Sequence, residues 1–171
     1  MGAQTYEMAR SLNTLNILHL LLVLSAGACL YFAWQETRDK IVKIDRLLRA
    51  PLFAVIAALI LMTIQTVGAK HSSWLFIAAF FAGVAIGAVR GLTLTLSIGS
   101  SWRVLRPPGM RAQVWIALVL AVAVAVDIAG AIAGPPGLAW RFPAALVAMG
   151  CAGVLVGRAA AIGVRVWRLV R

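Results

Sequence analysis

Acidic residues are scarce in this chain of 171 residues: five Asp and Glu stand against 16 Lys and Arg, with two His and two Cys. Charged residues make up 12% of the whole. A soluble domain carries about 25%, so the composition excludes an ordinary aqueous fold. Cys29 and Cys151 both sit inside apolar runs, with no CxxC pair and no Cys/His spacing. They read as small apolar core residues, and no metal or other cofactor is expected. A thiol carrier would need paired cysteines. Haem ligation usually takes two helix histidines, whereas His71 falls in a turn and His19 stands alone. No Ser/His/Asp spacing, HExxH or phosphate-binding glycine loop occurs. Enzymatic chemistry is therefore not expected.

What the chain does have is apolar length. It is 63% hydrophobic, with mean hydropathy +0.95 and formal net charge +11. The cations fall mostly between long apolar runs, the pattern of a membrane protein facing anionic lipid rather than of a nucleic-acid binder. After a polar lead over 1–12, the patterning predicts an all-α polytopic membrane protein, a single membrane domain of five transmembrane helices. The spans run about 13–34, 52–69, 74–91, 112–133 and 143–162, with Pro51 and Pro143 opening the second and fifth. The opening carries Glu7 and Arg10 rather than a strongly basic stretch, so no cleaved leader is expected. Between the first two spans, Ile41, Ile44, Leu47 and Leu48 recur at helical spacing among charges. An interfacial amphipathic helix and a plain charged loop both fit that segment. The Pro-Pro-Gly turns at 107–109 and 135–137 are the one internal echo, and no repeat is expected.

The stretch from Trp74 to Gly109 changes period midway. Ala79, Gly83, Gly87 and Gly91 recur every four residues and form a helix-packing stripe of small side chains. From Leu92 to Ile98 apolar and hydroxyl residues alternate, which suits a strand. A short cytoplasmic β-hairpin over 92–106 is one reading, and continuation of the third helix to Ile98 is the other. Arg90 leans towards the packed side and is expected as a membrane-boundary anchor, paired with Glu36, Asp39 or a lipid phosphate.

Ionisable groups at membrane depth are costly, so they are the default functional candidates. Asp127 lies about six residues, ~9 Å of helix, from the outer end of the fourth span, on a face of small residues. His19 lies at a similar depth in the first span, and Gln65 about ~6 Å below the outer end of the second. A buried polar cluster of His19, Gln65 and Asp127 is the expectation. It could relay a proton or bind a cation, or it could only hold helices together.

Gly83-x3-Gly87-x2-Arg90-Gly91, the alternating segment, the basic return through Arg103 and Arg106, and the Trp115 span resemble the CcdC-like proteins and related small bacterial inner-membrane proteins. The resemblance covers spans two to four and implies a multi-helix architecture without a defined activity.

Two functions follow as expectations for a multi-pass protein of the bacterial inner membrane. One is a non-catalytic scaffold or accessory subunit, partnered by the lipid bilayer and by a second copy or another membrane protein. The other is a small proton- or cation-linked transporter or channel subunit using Asp127 and His19. With the N-terminus outside, all the Lys and Arg except Arg10, Lys70 and Arg141 fall on the inner side, a strong positive-inside bias. A periplasm-active reporter fused to the C-terminus should stay silent; an active fusion reverses the threading.

Overall fold

The computed structural model describes residues 17–38, 42–43, 48–68, 73–93, 97–98, 104–106, 111–133 and 138–170. They form five helices, α1 (Ile17–Arg38), α2 (Arg49–Gly68), α3 (Ser73–Thr93), α4 (Arg111–Ala133) and α5 (Leu138–Val170). Three short strands, β1 (Val42–Lys43), β2 (Ser97–Ile98) and β3 (Val104–Arg106), lie between them. Within the described residues α1, α3, α4 and α5 are each long and apolar enough to cross a membrane. The apolar part of α2, Arg49–Ile64, is shorter.

Several boundaries differ from the sequence expectation. α1 runs on to Arg38, past Trp34, and so carries Glu36 within the helix. α2 opens at Arg49, which puts Pro51 inside the first turn, where its missing N–H breaks no bond. α5 begins at Leu138 and contains Pro143 instead of opening on it. So close to a helix start, the proline removes one backbone bond and leaves the rest of the ladder intact. α5 then continues to Val170, 33 residues in all, or ~50 Å of helix.

The alternating segment is also corrected. Leu92 and Thr93 remain in α3, so Leu92 to Ile98 is not one strand. Pairing starts at Ser97, opposite Arg106, with Ile98 opposite Leu105. On its other edge β3 takes β1, with Val42 opposite Leu105 and Lys43 opposite Val104. An amphipathic helix through Val42 is therefore replaced, at those two residues, by a third strand, which suits the marginal stability of two strands alone. The rest of the segments 39–47 and 94–103 lies outside the described residues.

α1, α2, α5 and α4 form a ring in which each packs on the next, while α3 lies outside it and packs chiefly on α5. Ring neighbours run antiparallel. Phe32 of α1 stacks on Phe53 near the start of α2 at 5.4 Å, and Asp127 near the end of α4 bonds Arg141 near the start of α5. The interior is built largely of alanine, including Ala26, Ala54, Ala57, Ala117, Ala148 and Ala152. Leu20, Leu59, Phe81, Ile86 and Val122 are exposed instead. Large apolar side chains outside and small ones inside suit a lipid solvent, where close approach rather than water exclusion drives packing. Trp34, Trp115 and Trp167 are exposed towards the end that carries the strands, and Trp74 and Trp140 towards the opposite end. Such aromatic belts mark the two interfaces of a bilayer.

The tightest contact joins α3 to α5, which run parallel. A Cβ added at Gly83 would strike the backbone of Gly150, and one at Gly87 that of Val154. Reciprocally, a Cβ at Gly153 would strike Phe80, and one at Gly157 would strike Val84. Gly91 ends the row against Arg158 and Ala161, while Ala79 is half-buried beside it. Two matching hexapeptides make this contact: Ala82-Gly-Val-Ala-Ile-Gly87 and Ala152-Gly-Val-Leu-Val-Gly157. Each glycine pair straddles the valine of the other helix, so the contact has a local pseudo-twofold axis. The expectation of no echo beyond the Pro-Pro-Gly turns is thereby corrected.

At the other end of the row Phe76, fully buried, meets Phe142 edge-on at 5.5 Å. Arg165 donates through Nη1 to the carbonyls of Gly91 (3.2 Å) and Leu92 (3.1 Å), capping the C-terminus of α3. Gly87→Val or Gly157→Val should cost about 3 kcal/mol by overpacking. Gly163→Ala, where a Cβ meets nothing within 4 Å, should be neutral or gain up to ~1 kcal/mol. Thermal unfolding of the purified variants in detergent separates the two classes.

Candidate functional site

Buried polar side chains gather at the two ends of the ring. At the end opposite the strands, Asp127 of α4 is fully buried and accepts a hydrogen bond from Arg141 Nε at 3.0 Å. The Arg141 side chain is 18% exposed. The start of α5 packs back along the end of α4, and Ala123 and Gly130 beside Asp127 are small enough to admit Arg141. The guanidinium neutralises the carboxylate where water is scarce, which makes the pair a clamp between consecutive helices.

Within the expected cluster, no hydrogen bond joins His19 to Asp127. His19 is buried in α1, and neither of its ring nitrogens makes a hydrogen bond. Gln65 belongs to α2, and its side chain lies outside the described residues. The residue that does meet Asp127 is Arg141, close in sequence and easily read as a loop cation at the membrane surface.

At the strand-bearing end the ring holds Glu36 of α1, Gln113 of α4 and Arg158 of α5, all at least nine-tenths buried. Arg158 and Gln113 both act on the Glu36 carboxylate. Neither Glu36 oxygen makes a hydrogen bond of 3.5 Å or less, however, and Arg158 Nε makes none either. Gln113 and Arg158 also line a cavity of about 10 Å³, together with Pro51, Leu155, Ala159 and Ile162. Two helices, α4 and α5, thus deliver an amide and a guanidinium to one small space, and both side chains act on the Glu36 carboxylate of α1.

Sequence reasoning missed this second centre, although a signal was present. Leu22, Ala26, Cys29, Ala33 and Glu36 are spaced by fours and threes down the buried side of α1. Ending that helix at Trp34 cut the stripe one residue short of its charge. Gln113 begins the stripe Gln113, Ala117, Leu120, Asp127 on the buried side of α4. Arg158 was counted only among the inner cations.

Arg90 departs from its expected placement. Gly91 takes the packed side of α3, and Arg90 is exposed, so Glu36 faces Arg158 in its stead. Arg90 still bears electrostatically on Arg158. Among the described residues, no three His, Cys, Asp or Glu side chains gather as metal ligands would.

The fold is compatible with an integral membrane protein of several passes. No protein-family model, curated protein or solved structure matches the chain.

Breaking the buried clamp by Asp127→Leu or Arg141→Leu alone should destabilise the bundle by about 3 kcal/mol, because each leaves a charge without its counter-ion. The double variant should recover much of that loss. Unfolding midpoints around the double-mutant cycle measure the coupling.

Proposed function

We propose that the chain is a five-span protein of the bacterial inner membrane, N-terminus outside and C-terminus in the cytoplasm. In this reading it is a non-catalytic scaffold or accessory subunit that binds a second membrane helix. α2 supplies the fifth span: its 20 residues give ~30 Å of helix, the thickness of a hydrocarbon core. The strand-bearing end is the cytoplasmic one. It carries Arg38, Lys43, Arg49, Arg90, Arg106, Arg111, Arg158, Arg165 and Arg168, against Arg141 at the other end among the described residues. On this threading β2 and β3 are the arms of a cytoplasmic hairpin.

The observation that carries the accessory role is the outward face of α3. Held chiefly by α5, the helix presents Ala78, Ala82 and Ala85 on one exposed face. Small side chains at that spacing admit another helix closely. The likeness to CcdC-like proteins belongs to the same proposal and adds no activity to it.

A proton- or cation-linked transporter using Asp127 and His19 is the second reading. The buried imidazole of His19, with no hydrogen bond, favours it. The engagement of Asp127 by Arg141 weighs against it, since a transport carboxylate has to exchange partners.

Purification from native membranes tests both. The accessory reading expects a stoichiometric partner or second copy that Ala82→Leu removes without changing the unfolding midpoint. Retention of the partner by Ala82→Leu rejects that face. Proton or cation flux in proteoliposomes, lost in a folded Asp127→Asn variant, would establish the transporter.

A further inference from the structure

The Glu36 centre takes part in neither reading above. Its polar atoms are arranged unlike those of the Asp127 clamp. There, carboxylate and guanidinium meet directly at 3.0 Å. Here both Glu36 oxygens and Arg158 Nε are buried without a hydrogen bond, although Arg158 and Gln113 act on the carboxylate. Buried polar groups are almost always satisfied, by protein or by ordered water. Those same two side chains, Arg158 and Gln113, wall in part a cavity of about 10 Å³, close to the room one water needs, and offer the polar partners a water requires. Pro51, at the first turn of α2, and Ile162, towards the extended part of α5, place that cavity at the strand-bearing end of the ring.

We propose that this centre is a proton-binding site, in which cavity water joins the Glu36 carboxyl to Arg158 and Gln113 and exchanges its proton with the aqueous phase at that end. The carboxylate takes a proton from hydronium, leaving water, and returns it by the same route, with no electron transferred. Arg158 supplies the positive charge that keeps the ionised state tolerable in the interior, and Gln113 is a neutral partner able to donate or accept. The surrounding charges come from every packed element. Arg49 of α2 lies over the Phe32 ring at 6.0 Å, Arg90 of α3 bears on Arg158, Arg111 opens α4, and Cys29 lies two turns before Glu36 on α1. The site needs no partner protein and stands apart from the accessory role.

The chain offers a direct test, because its glutamates are Glu7 and Glu36. Full-length protein labelled with ¹³C at the glutamate carboxyls, in lipid nanodiscs, should give two carboxyl resonances, with Glu7→Gln assigning them. The expected result is a Glu36 resonance that moves with bulk pH and exchanges protons with water. A Glu36 resonance that stays fixed across the whole pH range in which helix content is retained, while that of Glu7 moves, overturns the proposal. Ala159→Leu, which fills the cavity, should abolish the fast exchange; exchange unchanged in that variant overturns the water route.

Discussion

The backbone-to-backbone approach of α3 and α5 is the constraint on which the rest of the bundle depends. In lipid, apolar surface gives helices no reason to associate, so contact has to come from atoms that can interlock closely. Four glycines and two valines provide that contact, and they do so symmetrically: Gly83 and Gly87 flank Val154, while Gly153 and Gly157 flank Val84. With α3 committed to one flank, α5 uses its remaining faces for α2 and α4, and α1 closes the ring from the far side. The central position of α5 explains why its apolar window is 61% buried and that of α3 only 22%.

The two ends of the ring solve the problem of a buried charge in opposite ways. The Asp127–Arg141 pair is short, direct and local, joining helices that are consecutive in the chain. It neutralises itself and leaves little for chemistry. Glu36, Gln113 and Arg158 come from three separate helices, the Glu36 oxygens stay without a hydrogen bond, and Gln113 and Arg158 line a small cavity. Desolvation makes an incomplete arrangement of that kind costly, so its persistence in an otherwise alanine-packed interior is informative. The two ends of the ring are therefore unlike in their buried side chains.

The helices were legible in the sequence because lipid imposes a coarse rule: long apolar runs become helices. The small-residue stripe on α3 was legible for the same reason. What escaped was pairing. Periodicity shows that Gly83 and Gly87 face something, but only comparison with Ala152–Gly157 identifies the partner. Helix ends escaped as well, because Glu36 beyond Trp34 and Arg158 before a basic tail both look like ordinary boundary charges. Asp127 was singled out correctly as buried, yet its partner was sought on distant helices when it lay at the start of the next one.

The parallel α3–α5 contact also imposes an order on synthesis. α3 enters the bilayer roughly 70 residues ahead of the segment that will cover its glycine groove, an interval of several seconds at ordinary elongation rates. In the proposed threading, α4 is inserted during that interval. The groove on α3 faces lipid in the meantime, which its apolar sequence allows. The docking of α5 is thus the step at which a set of inserted helices becomes a single body.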